Sequence, residues 1–544
     1  MKKLLQLFIL AAASFICAEE PLLRVGVITD THIGETAESC SHVRKAFQLF
    51  RTLQADLIVN CGDIADKHYP SGYRHYRQIF NEIFPDRKPK ELFVYAGHDA
   101  IGIKDKNHAY AIVRKELGAT NDLYDRIVLK GYPFLVFMQS FDTARYEADI
   151  VRAEQEFPGK PVFVFNHEPP LNTTYHSQVW GSAKVRQVLE KHPRVIQFSG
   201  HAHSSIRDER NIWQGKFTSI SAGCLQRWAG VLTGSPTFGK RYSDGVLFME
   251  IFPKKLVIRR YEYTTGKEYG TDKRWIIPLP FDEKTAPFTP ERRYADVPAP
   301  AFPAGAELRH NINTLGVNLK FPEAADGVAE YRIDVLQKAD DGTWQKTARC
   351  DRYSGFYLHT PPEEQQITLD RGYFEPGQSY RVRVTPMSFW KKGGKPLETN
   401  FTMPPYKPQI IFQSLAPMKE MAFQNARTGE AVKAENGFYR LKYAANLQIP
   451  EKVWEGPAQK SRFRLTVDFQ MEQTTDRPWI IMVLDPRNNA CVSTRIGTVP
   501  GNSGMMRYSL EFPKHSADAR YVIQFRNGAP GKVKFGKLRI EKTR

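Results

Sequence analysis

Between residues 22 and 263 the chain repeats one local plan, and that plan restricts its fold more than any other feature. A short apolar run ends in aspartate or histidine, and a stretch with helical spacing or a turn follows. Leu22 to Ile28 leads into Asp30-Thr31-His32, Ala55 to Cys61 into Gly62-Asp63, and Glu91 to Tyr95 into Ala96-Gly97-His98-Asp99. Pro161 to Phe165 leads into Asn166-His167-Glu168-Pro169-Pro170, and Arg194 to Ser199 into Gly200-His201-Ala202-His203. Runs this short and apolar throughout read as strands buried on both faces. Val43, Phe47, Phe50 and Leu53 recur at helical spacing, as do residues near Tyr73 to Phe84 and His108 to Leu117. Arg126 to Leu129 with Pro133 to Met138 reads as a strand pair, Lys216 to Cys224 as a strand, and Gly245 to Phe252 with Lys255 to Tyr263 as a hairpin. Strands alternating with helices predict an α/β domain. In such sheets ligands sit beyond the carboxyl ends of the strands, so the five acid- or histidine-bearing ends can share one site.

The residue types point to metal chemistry. Imidazole is the commonest metal-ligand side chain near neutral pH, and a glycine at a strand end lets backbone approach closely enough for two histidines to converge. One acid or histidine after a strand is ordinarily structural, and an isolated Gly-His-x-His is a weak signal. Five such ends in succession, all hard or borderline ligands, argue for bound metal.

Taken together, Asp-x-His, Gly-Asp, Gly-His-Asp, His and Gly-His-x-His resemble the motif blocks of the calcineurin-like metallophosphoesterase superfamily, over about residues 22–285. The resemblance implies an αββα sandwich of two sheets with a two-metal site at its strand ends. It places Asp30, His32, Asp63 and His203 on one metal, with Asp63 bridging to a second that His167 and His201 also hold. It makes His98, paired with Asp99, the residue that meets substrate and protonates the leaving oxygen. The reaction it implies is hydrolysis of a phosphomonoester or phosphodiester by a metal-bound hydroxide. Two ions of Mn, Fe or Zn, roughly 3.5–4 Å apart, would clamp the attacking and leaving oxygens.

One block departs from the family. Gly-Asn-His-Asp there is Ala96-Gly97-His98-Asp99 here, so the asparagine ligand of the second metal is missing. The second metal could bind more weakly with water in the gap, another polar group such as His98 in a shifted turn could replace the amide, or the site could be mononuclear. Retained activity ranks first, because every other ligand is present. The competing reading is a non-catalytic binding or surface protein on the same scaffold. The purple acid phosphatase branch is set aside: Asp66 stands at its tyrosine ligand and His32 departs from its first block, so no Fe(III)-tyrosinate colour is expected.

The remaining sequence supplies context. At 544 residues the chain is too long for one core. Met1-Lys2-Lys3, the apolar Leu4 to Phe15 and a small residue before Glu19-Glu20 read as a signal peptide over 1–18, predicting export to a periplasmic, extracellular or cell-surface location. No other run is long and apolar enough to span a bilayer. Cys40, Cys61, Cys224, Cys350 and Cys491 lack CxxC spacing and read as buried free thiols with room for one disulfide. A net charge of +18 suits anionic substrates, but the cations are dispersed and no nucleic-acid-binding module is visible. His68, His75 and His108 read as surface histidines, His176 as a loop histidine, and Trp180 and Trp228 as packing residues near the pocket.

Residues 286–303, with Pro287, Pro290, Pro298, Pro300 and Pro303, read as a linker. Beyond it the pattern is alternation without helices. Residues 304–403 resemble a fibronectin type III domain, on Glu375-Pro376-Gly377 and the strand led by Tyr380. Residues 409–544 resemble a jelly-roll sandwich of the carbohydrate-binding kind, which leaves a glycan or surface contact open. Trp454 and Trp479 are candidates for stacking on sugar, with burial in the core as the commoner role.

Overall fold

The structure is a computed structural model that describes residues 19–543 except 35–36, 68–69, 121, 140–141, 227–244, 326, 359–360, 416–420, 442–443, 455–460, 473–478, 488–489, 498–503, 517 and 528–530. The expectations for residues 1–18, His68 and Trp228 lie outside the described residues.

The first region alternates as the sequence requires. In chain order it runs β1 (Leu23–Ile28), α1 (Ser39–Thr52), β2 (Leu57–Asn60), α2 (Pro70–Ile83), β3 (Lys90–Phe93), α3 (Lys106–Leu117), β4 (Tyr124–Leu129), β5 (Tyr132–Phe137) and α4 (Thr143–Glu156). There follow β6 (Val162–Phe165), α5 (Ser177–Trp180), α6 (Ala183–Leu189), β7 (Val195–Ser199), β8 (Ile212–Gln214), β9 (Thr218–Ser221), β10 (Gly245–Ile251), β11 (Lys255–Glu262), β12 (Lys267–Glu268) and β13 (Trp275–Pro278). One sheet has the order β12-β11-β10-β1-β2-β3, with β13 also on β11, and the other β4-β5-β6-β7-β9-β8. The strands that carry candidate ligands run parallel to one another within each sheet: β1, β2 and β3 in the first, β6 and β7 in the second.

Strand alternation explains why both faces had to be apolar. Val25 and Val27, Leu57 and Val59, Phe134 and Val136, Phe163 and Phe165, and Ile196 and Phe198 meet in one core between the sheets. Their neighbours point outward to helices. Ile28, Ile58 and Phe93 pack under α1, α2 and α3, and Leu135, Val162, Val164 and Val195 pack under α4 and α6. The order of layers is therefore α, β, β, α, as expected. Parallel strands held this way bring their carboxyl ends to one rim.

Two antiparallel sandwiches follow. The first packs Arg309–Ile312, Gly316–Pro322 and Glu364–Asp370 against Trp344–Tyr353, Val328–Lys338, Ser379–Ser388 and Leu397–Thr402. Tyr380 is fully buried, and its hydroxyl accepts from the Glu375 amide at 2.6 Å, a tyrosine corner that pins the turn to the strand. The second sandwich packs a sheet built on Arg462–Glu472 and Gly531–Lys542 against one built on Trp479–Asp485 and Val522–Asn527. Trp454 is 1% exposed, its ring against Phe463, Phe512 and Tyr521, so it is a core residue and cannot stack on a sugar. Trp479 opens its strand, but its side chain lies outside the description.

The proline-rich stretch contains a short helix, Pro290–Asp296, capped by Thr289. Arg293 ties it to the first domain through Glu209 at 2.8 Å. No disulfide joins the five cysteines among the described residues: Cys61, Cys224 and Cys350 are buried, whereas Cys40 is half-buried and Cys491 exposed, against the expectation of burial for all. No described helix is long and apolar enough to cross a membrane.

Candidate metal centre

The five strand ends do converge. Asp30, His32 and His203 form one group of mutually close ligand atoms, and Asp63, His167 and His201 form a second. A third group, His32, Asp63 and His98, overlaps both sides. The six predicted metal ligands thus lie together, with Asp63 between the two sets.

Their spacings are those of donors around a shared cation. Asp30 Oδ1 lies 2.9 Å from His203 Nε2, and Asp63 Oδ2 lies 3.0 Å from His167 Nε2. His32 Nε2 is 3.4 Å from His203 Nε2, and 3.7 and 3.9 Å from Asp30 Oδ1 and Asp63 Oδ2. Adjacent donors about 2.0–2.2 Å from one ion lie roughly 3–3.5 Å from each other. Asp30 Oδ1 and His167 Nε2 are also buried with no hydrogen-bond partner among the described residues. They are close to other ligand atoms but not aligned with them, so a cation would satisfy what no proton does.

In four of the six ligands the other atom already has a partner. Asp30 Oδ2 accepts from Thr29 Oγ1 at 2.8 Å and from the His201 amide at 3.0 Å. Asp63 Oδ1 accepts from the His98 amide at 3.0 Å. His167 Nδ1 lies 2.9 Å from the Cys61 carbonyl, which places the proton on Nδ1 and leaves the Nε2 lone pair toward the centre. His203 Nδ1 is 3.5 Å from Cys224 Sγ, a neighbour that the sequence did not single out. These contacts fix ring and carboxylate orientation, and the set fits two divalent cations.

Backbone conformation sets the same pattern. Asp30, His32, Asp63, His201 and His203 all have positive φ, between 37° and 64°. Such left-handed turns are strained for residues other than glycine, and they turn each side chain back over its strand end. Gly200 has a different requirement: a Cβ there would lie 1.9 Å from Thr29 Oγ1 and 2.4 Å from Asp30 Oδ2. Only glycine lets the histidine loop approach β1 this closely.

Without metal, the charges of the group settle each other. Burial would push the Asp30 and Asp63 carboxyls up, but His203 beside Asp30 and His167 beside Asp63 hold both well below the usual range. Burial works against charge on His167 as well, yet Asp63 and Asp30 raise it to about 9. His201, buried beside that cation, is pushed down to about 3 and stays neutral.

One predicted pairing is corrected. His98 Nδ1 bonds Asp66 Oδ1 at 2.8 Å, not Asp99. Asp99 is fully buried and points into the domain, where its oxygens accept from the Ile64, Ala65 and Ala96 amides and from Tyr73 Oη. Its role is to hold the turns after β2 and β3 together, and burial followed by the charge of Asp63 raises its carboxyl to about 7. Four donors on one carboxylate explain why an aspartate is needed there. His98 itself is half-exposed, its ring 4.6 Å from that of His32, so it faces the first group and not the place of the missing amide.

Of the flanking candidates, Trp180 borders the site, its ring edge-on to His201 at 5.7 Å. His176 is buried and stacked on Tyr175 at 3.9 Å; burial and Arg210 lower it to about 4, so it is a neutral loop histidine. His75 and His108 are exposed on helices. Two further residues lie close to the site: Gln139, just past β5, and Glu168, next to His167. The signal for Gln139 was its place after an apolar strand, the place every ligand occupies.

Residues 23–205, about a third of the chain, match the calcineurin-like phosphoesterase family. No curated protein sequence matches the chain. Among solved structures, a dimetal phosphatase from Danio rerio is similar at TM-score 0.37 and 11% identity, over 48% of this chain and 100% of that one. A purple acid phosphatase from yellow lupin (Lupinus luteus) seeds is similar at TM-score 0.33 and 13% identity, over 47% and 53%. A carbohydrate-binding module of Cellvibrio mixtus lichenase 5A, in complex with cellotriose, is similar at TM-score 0.16 and 9% identity, over 25% and 100%. By the family match, residues 23–205 are a calcineurin-like phosphoesterase domain, and its strand ends bring together Asp30, His32, Asp63, His167, His201 and His203 as candidate metal ligands.

Proposed function

We propose that this chain is an exported, metal-dependent phosphoesterase that hydrolyses a phosphomonoester or phosphodiester. The observation that carries the reading is the overlap of the ligand groups on Asp63, whose Oδ2 faces His167 and His32 together. That carboxylate can bridge two cations, with Asp30, His32 and His203 on one side and His167 and His201 on the other. Bound divalent cations supply Lewis acidity toward phosphoryl oxygens and activate water as the nucleophile. The chain's own part is orientation and proton delivery. Asp66 fixes the His98 ring through Nδ1, so Nε2 can give its proton to the departing oxygen. Trp180 walls the His201 side. The +18 charge favours an anionic substrate.

Export rests on the charged, apolar and small segments of residues 1–18. We assign the first β sandwich to the fibronectin type III class on its three-plus-four strand arrangement and tyrosine corner, and give the sandwiches the role of positioning the enzyme on a glycan or other surface.

The test is metal analysis of the mature protein together with hydrolysis of p-nitrophenyl phosphate and bis-p-nitrophenyl phosphate, with and without added Mn. Two metals per chain and turnover abolished in His203→Ala are expected. A wild-type protein with neither metal nor turnover would overturn the reading and leave a non-catalytic scaffold.

A further inference from the structure

The gap at Gly97 is not empty. A Cβ on Gly97 would lie 2.9 Å from Gln139 Oε1, with the rest of that carboxamide within 3.9 Å. The space that a side chain at position 97 would enter therefore holds the end of Gln139. Its backbone brings it there: the Gln139 amide donates to the Tyr95 carbonyl at 3.0 Å, which sets the end of β5 beside the end of β3.

The orientation of the carboxamide follows from its other partner. Gln139 Nε2 donates to Glu168 Oε1 at 3.1 Å. An ionised carboxylate only accepts, so the NH₂ must face Glu168 and the carbonyl oxygen must face away. Gln139 Oε1 is buried and has no hydrogen-bond partner among the described residues. Such an orphaned acceptor is unfavourable unless a ligand meets it. His167, a candidate ligand of the second metal, packs beside the turn that Gln139 meets. Gly62, whose Cβ would touch His167 Nδ1 at 2.9 Å and Ala96 Cβ at 2.7 Å, shows how tightly His167 and the Ala96-Gly97 turn are stacked.

We propose that Gln139 Oε1 is the amide ligand of the second metal, completing the set of Asp63, His167 and His201, and that Glu168 is the residue that positions it. An amide oxygen is a neutral, hard donor wherever it comes from in the chain, so the coordination chemistry lost at position 97 is recovered from the next sheet. A glycine at 97 is then a requirement, because any side chain there would displace the carboxamide. This inference rests on the metal-binding part of the function proposed above.

The test measures Mn(II) binding to the full mature chain, stripped with chelator and titrated by calorimetry, with electron paramagnetic resonance to distinguish coupled ion pairs from isolated ions. The wild type is expected to take two ions and show a coupled pair. Gln139→Ala should keep the first ion, bind the second at least about tenfold more weakly, and lose the coupling. The double variant Gly97→Asn/Gln139→Ala should restore both ions and the coupled spectrum. Two ions bound to Gln139→Ala with wild-type affinities would overturn the assignment while leaving the phosphoesterase reading intact. A double variant that folds as the wild type by circular dichroism and still lacks the second ion would also overturn it. A wild-type chain that binds no Mn(II) would overturn both.

Discussion

Replacing Arg210 with methionine tests whether the first β sandwich helps to support the phosphoesterase domain. Seven residues beyond His203, Arg210 reaches back to Asp208 with two charge-assisted bonds of 2.9 and 2.7 Å, and to Tyr357 Oη at 3.0 Å. Tyr357 belongs to the sandwich, and its hydroxyl donates to Asp208 Oδ2 at 2.7 Å. The guanidinium also lies 3.6 Å from the centre of the Tyr175 ring. Asp208 is 0% exposed. Removing one partner of a buried ion pair leaves the other charge uncompensated, at a cost of about 3–5 kcal/mol. Adding Asp208→Asn removes that charge but keeps an acceptor for Tyr357, so the double variant should lose only about 1–2 kcal/mol. Urea denaturation followed by fluorescence and circular dichroism reads both values. The sign with pH is fixed too. Burial alone would raise the Asp208 carboxyl, but Arg210 and Tyr357 hold it below its usual range. Its contribution is present above the unfolded value of about 3.9 and is lost as pH falls through the folded one. The gap between wild type and Arg210→Met should therefore narrow below about pH 4. A cost under about 1 kcal/mol at pH 7, the size of a surface pair, or a gap that widens in acid, would refute the reasoning.

Two further outcomes are expected. Gly200→Ala should abolish metal binding and turnover without unfolding the β sandwiches, because its methyl would collide with Thr29 Oγ1 and Asp30 Oδ2; metal analysis and circular dichroism together check it. Trp454→Ala should destabilise the last sandwich by about 3–5 kcal/mol while leaving phosphate-ester hydrolysis unchanged, since the ring is buried among Phe463, Phe512 and Tyr521. A selective loss of sugar binding with unchanged stability would contradict that placement.

The fold was legible where local pattern and tertiary role coincide. Strands such as Phe163 to Phe165 are buried on both faces, so their sequence is apolar without interruption and the flanking acids and histidines stand out. The helices α4 and α6 were not foreseen. Only Tyr146, Ile150 and Ala153 of α4 are buried, and the remaining polar residues mask the stripe. The ligands could be read because each chemical type sits at the same position after a strand. Their hydrogen-bonding partners could not, because those contacts cross between turns distant in sequence. Asp99 follows His98 in the chain and seemed its natural partner, yet in the short helical turn at His98–Ala100 the two side chains take different partners, Asp66 for His98 and the turns after β2 and β3 for Asp99. Gln139 shows the same limit: its carboxamide meets position 97 only through the pairing of two sheet ends.

Five ligand residues in left-handed backbone pose an energetic question of their own. At about 1–3 kcal/mol each, that strain must be offset before any metal arrives. Part of the offset is electrostatic and local, as the His201 amide on Asp30 and the His98 amide on Asp63 make clear. The loop of His201 and His203 has a further hold. Just downstream, Arg207 donates to the Phe356 and Leu358 carbonyls of the sandwich, and Arg210 and Asp208 close on Tyr357. Tyr175, stacked beside His176 and bonded through its hydroxyl to Tyr353 Oη at 2.6 Å, ties the loop that leads to Trp180 to the same surface. Both loops that wall the second ligand group are thus fastened to the sandwich, and their strained turns are held by contacts the αββα layers do not make. A phosphoesterase domain cut at the end of its own strands would keep every candidate ligand and lose these fastenings. Its histidine loop would then be free to relax out of the conformation that metal binding needs.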